Sequence, residues 1–210
     1  MNTKNIFEIE NLFYQTTNKS RLEKLISHYE IIKKIQKVEG DIIEFGVFKG
    51  NSLIRLAHFR DIFKLKKKIF AFDTFDNFPF SRISSNQYDK NFPKIFQKEA
   101  GKPFSDKKLI KIFKEKKIKN IELIKGNIQD TLQPFLKKNR KFSLVHIDLD
   151  LFEITYLVLE KILPFINNKG VIILDDYNIH PGIKKASEKF FKKQKIQRVI
   201  GKNPHFVIKD

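Results

Sequence analysis

The chain has 210 residues, with 42 lysines and arginines against 24 aspartates and glutamates, a net charge of +18, and no cysteine. That length suits one large domain better than two, and the missing cysteines exclude disulfides, thiolate metal sites, a cysteine nucleophile and iron–sulfur chemistry. A reducing cytoplasm is the simplest home; the N-terminus is amphipathic and acid-bearing, and no run of about 18 apolar residues occurs, so neither a signal peptide nor a membrane span is expected.

The positive charge raises a nucleic-acid or anionic-membrane partner, because a basic face neutralises phosphates. Two features argue against it. Six of the basic residues are arginine (Arg21, Arg55, Arg60, Arg82, Arg140 and Arg198), although arginine's planar fork is the preferred reader of phosphates and bases. The lysines are scattered over predicted helix faces, as in 64–68, 107–119 and 184–195, where a solvated surface needs no partner.

In chain order, residues 1–39 read as a helical arm or cap, with Leu22, Leu25, Ile26, Tyr29, Ile32 and Ile35 on one face, and residues 40–210 as the main domain. Gly40 and Asp41 introduce a buried strand over 41–45, followed by a glycine-containing turn, 46–50, and a helix from Asn51 to Phe59. A second strand, 68–72, ends at Asp73. The stretch 74–97, with Pro79, Pro93 and a polar cluster at 81–89, reads as a loop facing substrate, since loops of this length inside a domain usually serve function. A lysine-rich helix over 105–117 and a third strand over 120–124 follow, then a helix over 131–138 opened by an Asp130-x-x-Gln133 capping pattern. A strand at 142–147, a helix at 152–163 ended by Pro164, a strand at 170–174 and a helix at 181–193 with proline first continue the alternation. The last strands, 197–200 and 205–208, join through Gly201-Lys202-Asn203-Pro204 and must be antiparallel.

This order predicts a Rossmann-like α/β fold: a mostly parallel seven-stranded sheet with one antiparallel strand near the C-terminus, plus the N-terminal helices. Ligands in such sheets lie beyond the carboxyl ends of the strands, near the switch point between the first and fourth. The acids of interest all sit at such ends.

Glu44-Phe45-Gly46-Val47-Phe48-Lys49-Gly50 has glycines that let a cofactor approach the backbone, but its spacing is neither G-x-G-x-x-G nor a P-loop. Glu44 is either a cofactor contact or an acid tied to turn N–H groups. Asp73, 23 residues past Gly50, falls where nucleotide-binding α/β folds place the acid that holds the ribose, its alternative being the start of a turn. Together they describe a pocket for an adenosine-bearing, cationic cofactor rather than a polyphosphate, because carboxylates repel phosphate.

Four aspartates end two apolar strands. Asp150 with Glu153 fits a capping box for the next helix, which leaves Asp148, Asp175 and Asp176 without a structural task. Adjacent carboxylates repel unless a cation compensates. Three oxygen donors without cysteine select a hard ion, Mg²⁺ first, with Mn²⁺ or Ca²⁺ as alternatives. His146 reads as a hydrogen-bonded core histidine, with a role orienting Asp148 or acting as base as the alternative. His180, in a loop beside the acids, is better placed to touch substrate. No G-x-S-x-G elbow or H-E-x-x-H helix occurs, which disfavours serine hydrolase and zinc protease chemistry.

These residues resemble the metal-dependent macrocin O-methyltransferase type of class I S-adenosylmethionine-dependent methyltransferases, which methylate sugar hydroxyls. Residues 40–50 resemble that family's cofactor loop and 72–79 its ribose-binding segment. His146-Ile147-Asp148-Leu149-Asp150 with Asp175-Asp176-Tyr177 resembles its metal site, and Gly126-Asn127-Ile128-Gln129-Asp130 resembles the adenine-side loop of catechol-type relatives. The resemblance spans about residues 38–192 and implies a small-molecule, sugar-bearing acceptor. Glu44, Gly46 and Ser52 would line the methionine end of the donor, with Val47 and Gly50 in the same loop. Asp73 would hold the ribose with Thr74 beside it, Asn127 and Gln129 would lie on the adenine side, and Asp148 would touch both donor and ion. Asp148, Asp175 and Asp176 would bind the metal; Asp148 or Asp150 would take the acceptor's proton, with His180 as a second candidate base.

RNA methylation is the enzymatic alternative, although His146–Asp150 stands where amino-methylating enzymes carry an Asn/Asp-Pro-Pro-aromatic element. A non-catalytic Rossmann-like binding module is the other. The acceptor and the oligomeric state, a homo-oligomer included, are left open by the sequence.

Overall fold

The computed structural model describes residues 5–76, 89, 92–192 and 194–210. Strands β1 (Asp41–Phe45), β2 (Ile69–Asp73), β3 (Ile121–Lys125), β4 (Phe142–Ile147), β5 (Ile166–Leu174), β6 (Gln197–Arg198) and β7 (His205–Ile208) form one seven-stranded sheet in the order β3-β2-β1-β4-β5-β7-β6. The pairs from β3 through β5 are parallel, and β7 runs antiparallel to both β5 and β6. The order reverses between β1 and β4, so the switch point falls where the acidic strand ends meet.

The central strands are apolar along their whole length because both faces are covered. On one face Ile43, Phe45, Phe70, Phe72, Val145 and Ile147 pack against α6 (Ile128–Leu136), α7 (Phe152–Ile162) and α8 (Pro181–Phe191). Phe70 and Phe72 meet Phe135 edge-on, each at 5.0 Å between ring centroids, a geometry the ring quadrupole favours. On the other face Ile42, Ile69, Ala71, Leu144, Val171 and Ile173 pack against α2 (Lys19–Lys34), α3 (Asn51–Ile62) and α5 (Asp106–Glu115). The first helix, α1 (Ile6–Thr16), buries none of its residues. Among the described residues no helix is long and apolar enough to cross a membrane.

Several sequence expectations shift. Within the stretch expected as loop, residues 77–88, 90 and 91 lie outside the described residues, which takes in most of the polar cluster, and its end is helical as α4 (Phe92–Ala100). The helix expected from Thr131 starts at Ile128, because Asn127, not Asp130, supplies the cap by accepting from the Gln129 N–H at 2.9 Å. The fifth strand begins at Ile166 because its amino half also pairs, Phe142 facing Ile166 across an irregularity in register. Asp150 does not cap α7. Its Phe152 and Glu153 N–H groups donate instead to Asp89, at 2.6 and 3.4 Å, an acid from the far side of the chain. The buried face of α2 is rotated from the apolar stripe: Lys24, Ser27, His28, Ile31 and Ile32 are inside, while Leu25 and Ile26 are exposed.

Arg60 shows where one of the scarce arginines is spent. Its side chain is 2 % exposed, and its guanidinium donates to the carbonyls of Lys119 at 2.8 Å, Asn120 at 3.2 Å and Lys67 at 3.4 Å, joining α3 to the starts of β2 and β3. Arg60→Met leaves those carbonyls without their charged donor and is expected to destabilise the fold by about 2–4 kcal/mol. Asp61→Ala, at a side chain 50 % exposed, is expected to cost under ~1 kcal/mol. Urea denaturation of the two variants measures the difference.

Candidate active site

Alternation along the strands places Glu44, His146 and Asp175 on the face covered by α2 and α3, at the carboxyl end of three adjacent strands. Glu44 pairs in register with His146, and all three side chains are buried. The imidazole bridges the two acids: Nδ1 is 3.0 Å from Glu44 Oε1 and Nε2 is 3.3 Å from Asp175 Oδ2. Burial opposes charge on His146, yet the hydrogen bonds to Asp175 and Glu44 win and hold its pKa up at about 10. Burial likewise disfavours the Asp175 carboxylate, and the hydrogen bond from His146 with the charge of Lys24 keeps it well below the usual range. His28 of α2 lies edge-on to His146, 5.2 Å between rings, and is held neutral by burial and by its charged neighbour.

Ser52 Oγ donates to Glu44 Oε1 at very short range. Glu44 therefore does not itself line the cavity above the sheet; it fixes Ser52, which does. That cavity, about 360 Å³, is bounded by Gly46, Val47, Phe48 and Ser52 of the first turn and by Asp73 and Thr74 after β2. Asn127 and Gln129 after β3 and Asp148 and Asp150 after β4 complete its expected walls. Of the expected donor contacts, Gly50 is absent from the wall as Glu44 is; it forms the left-handed N-cap of α3 at φ 80° and offers no side chain, so that among the described residues no side chain caps the N-terminus of α3, whose Asn51 and Ser52 line the cavity.

Asp73 is the strut of the first turn. Its Oδ2 accepts from the Val47 and Phe48 N–H groups at 2.7 and 2.9 Å, and its Oδ1 accepts from Phe75 N–H at 2.9 Å. The tie to turn N–H groups weighed for Glu44 thus falls to Asp73. Gly46, at φ 88°, lies so close under the Asp148 carbonyl that a Cβ would collide with it.

The four strand-end aspartates divide. Asp148 lines the cavity, and burial with the nearby charges of Asp175 and Asp150 pushes its carboxyl well above the carboxylate range. Asp150 adopts φ 61° and its Oδ1 is buried without a hydrogen-bond partner among the described residues; burial and Asp176 raise its pKa to about 8. Asp148, Asp175 and Asp176 are not a group whose donor atoms converge. Among the described residues two groups bring their donor atoms within 4.8 Å of one another: Asp150, Asp176 and His180, and the buried His28, His146 and Asp175, whose carboxylate is already engaged by His146 and Lys24. His180 Nε2 is 3.7 Å from Asp150 Oδ1 and its ring packs on Phe92 at 4.6 Å; the residue is absent from the cavity wall.

Among the wall residues that escaped the sequence reading are three basic ones. Lys24, 8 % exposed, reaches Asp175 Oδ1 at 2.8 Å and Asp176 Oδ1 at 3.1 Å. Arg21, one turn earlier on α2, and Arg55, one turn past Ser52 on α3, line the same side. The i, i+3 spacing of Arg21 with Lys24 and of Ser52 with Arg55 was the available signal.

Asp73→Ala leaves the Val47 and Phe48 N–H groups without their charged acceptor and is expected to cost about 2–4 kcal/mol of stability and to weaken donor binding. Asp73→Asn, which keeps one acceptor oxygen, should lose less. Thermal melts with and without S-adenosylhomocysteine read both effects.

No curated protein sequence matches the chain. Among solved structures, it resembles CalS11, a TDP-rhamnose 3'-O-methyltransferase of calicheamicin biosynthesis, at 22% identity and a TM-score of 0.68 over 98% of this chain and 87% of that one. The O-methyltransferase NovP is similar at 19% identity and a TM-score of 0.77, covering 90% of this chain and 80% of the other. An O-methyltransferase from Bacillus cereus in complex with SAH is similar at 15% identity and a TM-score of 0.56, over 97% and 87% of the two chains. At these identities the likeness concerns the fold. The model of the macrocin O-methyltransferase (TylF) family matches residues 8–204, nearly the whole chain, and the protein belongs to that family of O-methyltransferases.

Proposed function

We propose that the chain transfers a methyl group from S-adenosyl-L-methionine to a hydroxyl of a sugar or sugar-containing small molecule, in the cytoplasm, with 40–210 as the methyltransferase domain and 1–39 as an arm over its site. The observation that carries this is one cavity joining the Gly46–Ser52 turn, Asp73, the Asn127–Gln129 loop and Asp148 at the switch point of the sheet. The sulfonium donor suits a wall rich in carboxylates. Ser52 and the N-terminus of α3, which carries no side-chain cap and borders the cavity at Asn51 and Ser52, suit its methionine carboxylate. The sugar acceptor follows the family and the TDP-rhamnose substrate of CalS11.

Methyl transfer is an in-line displacement, and holding the hydroxyl oxygen collinear with the S–CH₃ bond is worth about 7–11 kcal/mol on its own. Asp148 is our candidate proton acceptor: it lines the cavity, and desolvation, with the charges of Asp175 and Asp150 beside it, raises its basicity. His180, outside the wall, is the weaker candidate. A divalent cation, Mg²⁺ first, fits Asp150 and Asp176 with His180 alongside, because Asp150 Oδ1 is buried with no hydrogen-bond donor on it among the described residues. Asp175 would support this set rather than join it, both its oxygens being engaged by Lys24 and His146. Such an ion would lower the pKa of a bound hydroxyl and fix its direction.

Two outcomes test the reading. The protein should bind S-adenosylhomocysteine in a calorimeter and move a labelled methyl group onto a member of a nucleotide-sugar panel; absence of donor binding with and without Mg²⁺ would sink the proposal. Asp148→Asn should slow transfer by about 10²-fold or more while S-adenosylhomocysteine affinity changes little. Full activity in EDTA would remove the cation from the account and leave the methyl transfer standing.

A further inference from the structure

Asp176 faces two cation positions at once. Its Oδ1 is 3.1 Å from the Lys24 ammonium, which also sits 2.8 Å from Asp175 Oδ1. Asp176 also belongs, with Asp150 and His180, to a group whose donor atoms lie within 4.8 Å of one another. A lysine this buried is rare unless paired, and the helix that carries it is fixed by Ile31 and Ile32 in the core. Like charges on neighbouring positions of one carboxylate repel, and an ammonium already paired with Asp176 lowers what that carboxylate can offer a second cation.

We infer that Lys24 is the resident counter-cation of the Asp175–Asp176 pair and competes with a divalent ion for Asp176, so that this residue of the N-terminal arm sets the affinity of the Asp150–Asp176–His180 group for metal. The inference rests on the cation reading above. Loading the ion moves Lys24 off Asp176 and onto Asp175 alone, where the 2.8 Å pair keeps α2 attached. Lys24 is thus a positioning residue. It links the arm to the acids, and His146 holds Asp175 in place from the opposite side.

The test is Mn²⁺ binding to the intact chain, without donor or acceptor, followed by the electron paramagnetic resonance signal of free Mn²⁺. Lys24→Met, which keeps length and removes charge, should bind Mn²⁺ at least about tenfold more tightly than the native chain, and Lys24→Arg should stay near native. In the native chain, saturating Mn²⁺ should speed acetylation of Lys24 by a soluble anhydride, read by mass spectrometry, which keeps the test valid should Lys24→Met fail to fold. Equal or weaker Mn²⁺ binding by Lys24→Met, or an acetylation rate indifferent to Mn²⁺, would overturn the competition. Binding to none of the three proteins would overturn both the competition and the cation reading, while S-adenosylhomocysteine binding reports separately on the methyltransferase reading.

Discussion

The compensation of charge inside the sheet is the constraint on which the site depends. Glu44 and Asp175 are buried at the ends of β1 and β5, where an uncompensated carboxylate costs about 3–5 kcal/mol, a large share of the roughly 5–15 kcal/mol by which a domain of this kind is stable. His146, on the strand between them, answers both acids with one ring. Ser52 donates to the same Glu44 oxygen, Oε1, from α3, while Oε2 is buried without a hydrogen-bond partner among the described residues, and Lys24 pairs with Asp175 from α2. Two helices are thereby fixed over the same strand ends by polar contacts, and the cavity lies next to that fixed layer.

The same layer explains why the acids of the cavity differ in character. Asp175, answered on both oxygens, stays ionised and acts as an anchor. Asp148 and Asp150, half-buried beside it and without comparable donors among the described residues, have raised pKa values and are left chemically available. Asp73 takes the third role, spending its carboxylate on the backbone of the first turn and so fixing where a ligand can meet Gly46 and Val47. One residue type thus supports three functions, chosen by the number of donors each carboxylate meets.

The sheet was legible from residues because β1, β2, β4 and β5 are apolar runs ended by acids, and a chain with that alternation has few topologies open to it. The cofactor turn was legible through Gly46, whose position under the Asp148 carbonyl permits no side chain. What stayed hidden depends on contacts between distant segments. Asp89 caps α7 across 63 residues, which local capping patterns assign to Asp150. Lys24 faces the site because α2 turns its polar stripe, not its Leu25–Ile26 side, toward a polar layer of the core; periodicity reports apolar stripes and passes over such a helix. The converging set Asp150, Asp176 and His180 follows from the left-handed backbone at Asp150 and Asp176, which strand alternation does not foretell.

The most direct test of the account is a crystal structure of the protein soaked with S-adenosylhomocysteine. The account predicts the ribose beside Asp73, the methionine tail beside Ser52 and the sulfur facing Asp148 across the cavity. A ligand bound elsewhere, or one in the cavity with its sulfur turned away from Asp148 toward the Asn127–Gln129 loop, would contradict it.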